Sequence, residues 1–198
     1  MTHDADAELM RRVAQGDKAA FAVLFDRYHA SICRFAFRFV GDRARAEELT
    51  QDIFVKLYRS AKGYQPSALF KTYLFRVATN HCLNEVRRGE YRVSQVDAEA
   101  EEGERAPSLQ APEGERPDQA LAGRELEKAV ATALSRLSER ERAAFTMCRF
   151  EGMAYREIAE ALSASEAAVK SLIHRATLAV ARHLEQLQAG LAPARSRA

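Results

Sequence analysis

Apolar residues recur at three- and four-residue spacing along most of this chain, which is the period of an amphipathic helix. Asp6 is placed to cap a first helix that closes at Gln15-Gly16, and Asp17 to cap a second. In the second, Phe21, Leu24, Phe25, Tyr28, Ile32, Phe35 and Phe39 form one stripe, and Gly41 ends it. Asp42 opens a third helix with Leu49, Ile53 and Leu57 on one face. Gly63 and Pro66 punctuate a loop, and Ser67 is positioned to cap a fourth helix from about Ala68 to Arg88. In that helix Phe70, Tyr73, Leu74, Val77, Cys82 and Val86 point inward. No stretch alternates with period two, so no strand is predicted.

Over residues 93–118 the rhythm stops. Glu, Ala, Pro and Gly dominate, and large apolar side chains nearly vanish. Such a segment buries too little to offset its chain entropy, which predicts a flexible linker with a coil span of about 25–30 Å. Helical periodicity resumes near Pro117-Asp118 and runs to about Leu187, before Gly190 and Pro193. The fold class predicted is all-α: two small helical domains joined by a flexible acidic linker, the C-terminal one a helix-turn-helix. The boundaries are 1–92, a linker at 93–118, 119–190, and a tail at 191–198.

Charge sharpens this division. Sixteen basic and eleven acidic residues leave 1–92 at +5. Two basic and eight acidic residues leave the linker at −6, and 119–198 returns to +3. Two mildly basic blocks suit a polyanionic partner, whereas the segment between them is repelled by one.

The remaining chemistry mostly excludes. Cys33, Cys82 and Cys148 are odd in number and far apart, with no CxxC pair, so they read as reduced thiols in apolar segments. His29 and Cys33 lie four apart, one helical turn, but the sequence adds no further ligand for a metal. His81 and Cys82 are adjacent, so on a helix they diverge by about 100° and make a poor catalytic dyad. There is no phosphate-cradling glycine loop. The start, Met1 to Asp6, is acidic and lacks an apolar stretch, and no run of about 18 apolar residues exists. The expectation is a cytoplasmic protein that is neither an enzyme nor a membrane protein, with no cofactor, metal or small-molecule substrate.

Two stretches carry positive chemistry. The first is Gly152 to Ser171, two short helices joined by Ser163-Ala164-Ser165. The second helix opens with small residues and exposes Glu166, Ala167, Lys170, Ser171, His174 and Arg175, while Val169, Ile173, Ala176 and Val180 turn inward. This is the layout of a helix-turn-helix whose second helix enters a major groove. The other is Phe70 to Arg88, where aromatics interleave with Lys71, Arg76, Arg87, Arg88, Asn80 and Asn84. Bases stack on aromatic faces, amides read base edges and cations hold phosphates. Tyr64, in the neighbouring loop, is expected to be exposed and available to a base.

Taken in order, these blocks resemble an extracytoplasmic-function sigma factor of bacterial RNA polymerase, over about Leu9 to Leu187. Ala46-Glu47-Glu48-Leu49-Thr50-Gln51-Asp52-Ile53-Phe54-Val55-Lys56-Leu57-Tyr58 is similar to the family's polymerase-binding helix. Phe70 to Arg88 resembles its −10 reading helix. Leu137-Ser138-Glu139-Arg140-Glu141-Arg142 and Phe150 to Ala159 resemble its −35 reading domain. Tyr73 stands where the family usually has Trp, and Leu172 where it often has Arg.

The resemblance implies contacts residue by residue. Glu48, Gln51, Asp52, Phe54 and Val55 would meet core polymerase from the exposed side of their helix. Tyr64, Lys71, Tyr73, Arg76, Asn80, Asn84, Arg87 and Arg88 would meet the single-stranded −10 element. Tyr155, Ser165, Glu166, Ala167, Lys170, Ser171, His174 and Arg175 would meet −35 duplex. An inhibitory anti-sigma factor is implied as a further partner. The rival reading is an autonomous dimeric helix-turn-helix repressor, which lacks a heptad seam or ligand pocket in this sequence.

Overall fold

The computed structural model describes residues 4–96 and 130–191, and every regular element within them is helical. The linker acids Asp97, Glu99, Glu101, Glu102 and Glu104, the restart near Pro117 and the tail after Leu191 lie outside the described residues.

Four helices build the N-terminal part: α1 (Ala5–Ala14), α2 (Lys18–Val40), α3 (Arg43–Ser60) and α4 (Phe70–Val96), with a 3₁₀ turn at Ala61–Gly63. Asp17 and Asp42 cap as their positions predict: their carboxylates accept from the amides of Ala20 and Arg45 at 3.0 and 2.8 Å. Gly41 ends α2 in the left-handed region, φ 71°, where a side chain would be strained.

The first cap differs from expectation. Asp4, not Asp6, starts α1, taking the amides of Asp6 and Ala7 on Oδ1 at 3.1 and 3.3 Å. Its Oδ2 accepts from the Phe70 amide at 2.6 Å, so Asp4 also supplies the cap assigned to Ser67. Asp6, one step inside the helix, instead accepts from the Tyr28 hydroxyl at 2.6 Å and pairs with Arg27. Helix α4 also runs past Arg88, into the stretch assigned to the linker. Gly89 costs about 1 kcal/mol against Ala in a helix, too little to break one already anchored by Phe70, Leu74, Phe75, Ala78 and Cys82.

The core between these helices is aromatic and deep. Phe35, Phe70, Phe75, Leu24, Ile32, Leu49, Ile53 and Leu57 have no exposed surface. The Phe35 and Phe75 rings meet edge to face, 5.2 Å apart.

After helical residues 130–135 come α5 (Glu139–Arg149), α6 (Tyr155–Leu162) and α7 (Glu166–Leu191). Ser138 and Glu141 cap α5 reciprocally, Glu141 Oε2 accepting the Ser138 amide at 3.2 Å. Ser163 turns the corner at φ 49°, ψ 51°, and the Ala164 amide closes back on the Ala159 carbonyl at 2.9 Å. Ser165 Oγ then accepts from the Ala168 amide at 3.2 Å and starts α7. The stripe Val169, Ile173, Ala176 and Val180 is buried, as its spacing requires.

The two parts touch. Helix α6 lies along α4, and the α5–α6 loop enters between α2 and α4. Arg142, buried, donates to the Phe39 carbonyl of α2 at 3.0 Å and to the Leu134 and Ser135 carbonyls of its own part at 2.9 and 3.0 Å. The Phe39 oxygen is among the last carbonyls of α2, which have no partner within the helix and carry its negative dipole end.

Candidate polymerase and nucleic-acid interfaces

Helix α3 has two buried stripes rather than one. Leu49, Ile53 and Leu57 face inward as predicted, but so do Ala46, Thr50 and Phe54, because α3 is wedged against both α2 and α4. Phe54 is only 2% exposed, its ring 4.8 Å from Phe25 and 6.3 Å from Phe21, so its assignment to an outward contact is corrected. The exposed edge consists of Glu47, Glu48, Gln51, Asp52 and Val55, continued by Tyr58. Arg45 bridges Glu48 to Glu85 of α4, which ties this edge to the neighbouring helix. His81 of α4 stands 3.6 Å from Asp52 and 3.1 Å from the Lys56 ammonium. Burial, then the Lys56 charge, lowers its pKa, so the imidazole is neutral near pH 7.

His29 and Cys33 do share a face, and Glu47 from α3 reaches both, 3.3 Å from each. Burial, then Glu47, pushes the Cys33 thiol up to about 11, so it stays protonated, and its half-exposure departs from the buried reading. Cys148 is likewise half-exposed, while Cys82 is buried. Among the described residues no cluster of three has the arrangement of a metal site.

On α4 and its preceding loop, Arg76, Asn80, Asn84, Arg87 and Arg88 are exposed as a strip of cations and amides. Tyr64 is not the open side chain its loop position suggested. Its ring lies 5.0 Å from Tyr73 and 6.3 Å from Phe70, its hydroxyl is enclosed without a partner, and burial pushes its pKa up to about 12. The loop folds back on the start of α4 because the aromatic rings gain more by stacking than by facing water. Tyr73 is half-buried too, its hydroxyl 2.9 Å from Ser60 Oγ, with the Arg76 guanidinium 5.3 Å from its ring centre. Beside this stack a cavity of about 260 Å³ is lined by Gln65, Ser67, Thr72, Tyr73, Arg76 and, from α6, Glu160.

Lys71 and Arg87 are engaged by the C-terminal part. The Lys71 ammonium donates to the Glu151 carbonyl at 2.5 Å, and Arg87 stands 3.3 Å from Glu139.

The second candidate surface is open. Ser165, Glu166, Ala167, Lys170, Ser171, His174 and Arg175 are exposed along one side of α7, and Tyr155 is exposed at the start of α6. Arg175 is not wholly free: its Nε donates to Glu141 at 2.7 Å. Although partial burial opposes ionisation, that bond and the Ser138 bonds hold the Glu141 carboxyl below the usual range. The α6 carboxyl-terminal end is tied by Arg140, which donates to the Leu162 carbonyl at 2.8 Å. Sequence alone missed Arg142 and Arg140 as the side chains that hold the unit's geometry. Their signal, an arginine inside an otherwise apolar helix face, reads equally well as a solvated charge.

Two sequence-family models match: Sigma-70 region 2 over residues 24–91 and Sigma-70, region 4 over residues 127–179. The RNA polymerase sigma-H factor of Pseudomonas aeruginosa is 34% identical over 192 residues, covering 94% of this chain and 97% of that protein. The ECF RNA polymerase sigma-E factor of Haemophilus influenzae is 30% identical over 183 residues, covering 92% and 96%. Among solved structures, CnrH in complex with the cytosolic domain of CnrY shares the fold with a TM-score of 0.68 at 23% identity, over 92% of this chain and 99% of that one. The sigma factor RpoE of Bartonella quintana, in complex with the anti-sigma factor NepR, gives 0.66 at 20% identity, over 83% and 96%. The chain belongs to the extracytoplasmic-function sigma factors of the sigma-70 family.

Proposed function

We propose that this protein is a dissociable sigma subunit that carries core RNA polymerase to specific promoters and helps open them. The exposed edge of α3, Glu48, Gln51, Asp52 and Val55, docks on the core enzyme. The face of α4 with Asn80, Asn84, Arg76, Arg87 and Arg88, next to Tyr64, Lys71 and Tyr73, captures the unpaired −10 strand. Residues Ser165 to Arg175, with Tyr155, read −35 duplex. The function is one of binding rather than catalysis, exerted in the cytoplasm, where promoters lie. Its domains are those two units, with 93–118 as a tether prolonged from α4.

The observation that carries this reading is the exposed row on α7 above a fully buried stripe, joined to α6 by a three-residue turn. A helix so mounted presents side chains to base edges without disturbing its own core. Melting follows from differential binding: a surface that prefers an unstacked base over a paired one offsets the few kcal/mol of unstacking. Tethering two weak readers raises the effective concentration of the second once the first is bound.

By analogy with RpoE, solved in complex with the anti-sigma factor NepR, an anti-sigma factor is a further partner of this chain. Run-off transcription with core polymerase on genomic fragments tests the reading. Discrete promoter-dependent transcripts that need this protein are expected. Tight binding to a palindromic duplex without polymerase would favour the autonomous repressor instead.

A further inference from the structure

Helix α4 carries a half-buried imidazole that neither the strand-facing row nor the apolar core uses. His81 lies beside the exposed edge of α3, with Asp52 at one ring nitrogen and Lys56 at the other. Its Nδ1 is 3.1 Å from the Lys56 ammonium. An ammonium only donates, so Nδ1 accepts and the ring proton sits on Nε2. Nε2 is enclosed without a hydrogen bond and stands 3.6 Å from the Asp52 carboxylate, near enough to feel its charge but too far to donate to it.

Asp52 and Lys56 are one turn apart, with the acid on the N-terminal side, the order in which such pairs close best on a helix. Among the described residues no ion pair joins them, and the ammonium lies on His81 instead. The other carboxylate that acts on this ring, Glu85, is already held by Arg45. The imidazole therefore decides what this stretch of α3 displays. While the ring is neutral, Lys56 is held against α4 and Asp52 keeps its charge free toward solvent. A proton taken from water at Nδ1 removes the acceptor and sets two cations side by side. Lys56 then leaves, and Asp52 has two cations to pair with, the imidazolium and the freed ammonium.

We infer that His81 is a positioning residue for the polymerase-docking edge: its neutral ring holds Lys56 against α4 and so leaves the Asp52 carboxylate free for the core enzyme. The inference rests on the proposed docking role of α3. It also gives that docking a sign with pH. Burial, then the Lys56 charge, holds the imidazole pKa below the ordinary histidine value, against the pull of Asp52 and Glu85. The ring is neutral near pH 7, and docking weakens as pH falls below about 6.5.

The test uses the full chain, fluorescently labelled, and follows its association with core polymerase by anisotropy at about pH 7.5 and about pH 5. His81→Gln is the conservative variant, since an amide oxygen can still take the Lys56 ammonium and does not titrate. His81→Leu removes the acceptor, and His81→Leu with Lys56→Met also removes the ammonium. Circular dichroism at both pH values should show unchanged helicity. On acidification the parent should lose about threefold or more in affinity relative to His81→Gln, a ratio in which titration of the core enzyme cancels. At about pH 7.5 His81→Leu should bind about threefold more weakly than the parent, while His81→Gln and the double variant should match it. A parent and His81→Gln that respond alike to acid would overturn the inference, whether or not the Leu variants fold. So would a loss in His81→Leu that Lys56→Met does not restore, the mark of a merely structural side chain. Docking by α3 is scored separately by Asp52→Asn at about pH 7.5. If that variant binds core enzyme like the parent, the docking reading fails. If it binds more weakly while parent and His81→Gln respond alike to acid, only the positioning role fails.

Discussion

The two halves bury different side chains and so present different surfaces. The N-terminal core is built from Phe35, Phe70, Phe75 and large aliphatics, whereas alanines at 143, 144, 159, 161 and 176 fill much of the C-terminal interior. Small residues let short helices pack closely and leave the polar side of α7 free to stand off the domain. Large aromatics pull their neighbours inward, so Tyr64 and Tyr73 are half-sunk into the same stack that supports α4. The surface proposed to read duplex is therefore complete in the protein alone. The aromatic face proposed to read a single strand shields its own rings among Tyr64, Phe70 and Tyr73.

The largest expected effect tests the cores. Phe75→Ala should cost about 3–5 kcal/mol in urea unfolding, as for a buried ring with no room to collapse, against about 1 kcal/mol for Ala176→Gly in α7. Equal losses would break the contrast. Next comes docking. Gln51→Ala combined with Asp52→Lys should weaken association with core polymerase at least about tenfold, the equivalent of about 1.4 kcal/mol, with helicity unchanged. Undiminished co-elution would remove α3 from the interface.

The two readers are separated by templates. Tyr64→Ala and Asn80→Ala should slow open-complex formation on duplex promoters and matter little on a template already mismatched over the −10 element. Equal loss on both would make them structural. On α7, Lys170→Ala should relax −35 sequence choice by about 1–3 kcal/mol of discrimination, while Arg175→Ala should weaken all sites alike. Selection from random duplexes measures both. Smallest is the Glu141–Arg175 pair. The Glu141 carboxyl is depressed in the folded protein, so its stabilisation is complete above the unfolded glutamate range and is lost as pH falls through the folded value. Glu141→Gln should flatten the acid limb of the melting curve slightly, and an unchanged limb would show the pair to be idle.

Much of this was legible beforehand, for stated reasons. Period and capping located α2, α3, α6 and the start of α7, because a stripe such as Val169, Ile173, Ala176 and Val180 has one physical reading. What failed was partner geometry. Periodicity says that a face is buried, not how many neighbours share it, so it leaves Phe54 outward although α3 has two covered sides. Loop position suggested an open Tyr64, but three aromatic rings close in space, at 64, 70 and 73, outweighed it. The bond from Arg142 to the Phe39 carbonyl spans 103 positions and leaves no local trace.

Asp4 joins beginnings that are 66 residues apart, since one carboxylate holds the first turns of both α1 and α4. The azimuth and axial height at which α4 presents Lys71, Tyr73 and Arg76 are thus indexed from the chain's fourth residue. A trimmed or tagged N-terminus that disturbs Asp4 is, in mechanical terms, an adjustment to the surface proposed to open promoters, made from the other end of the domain.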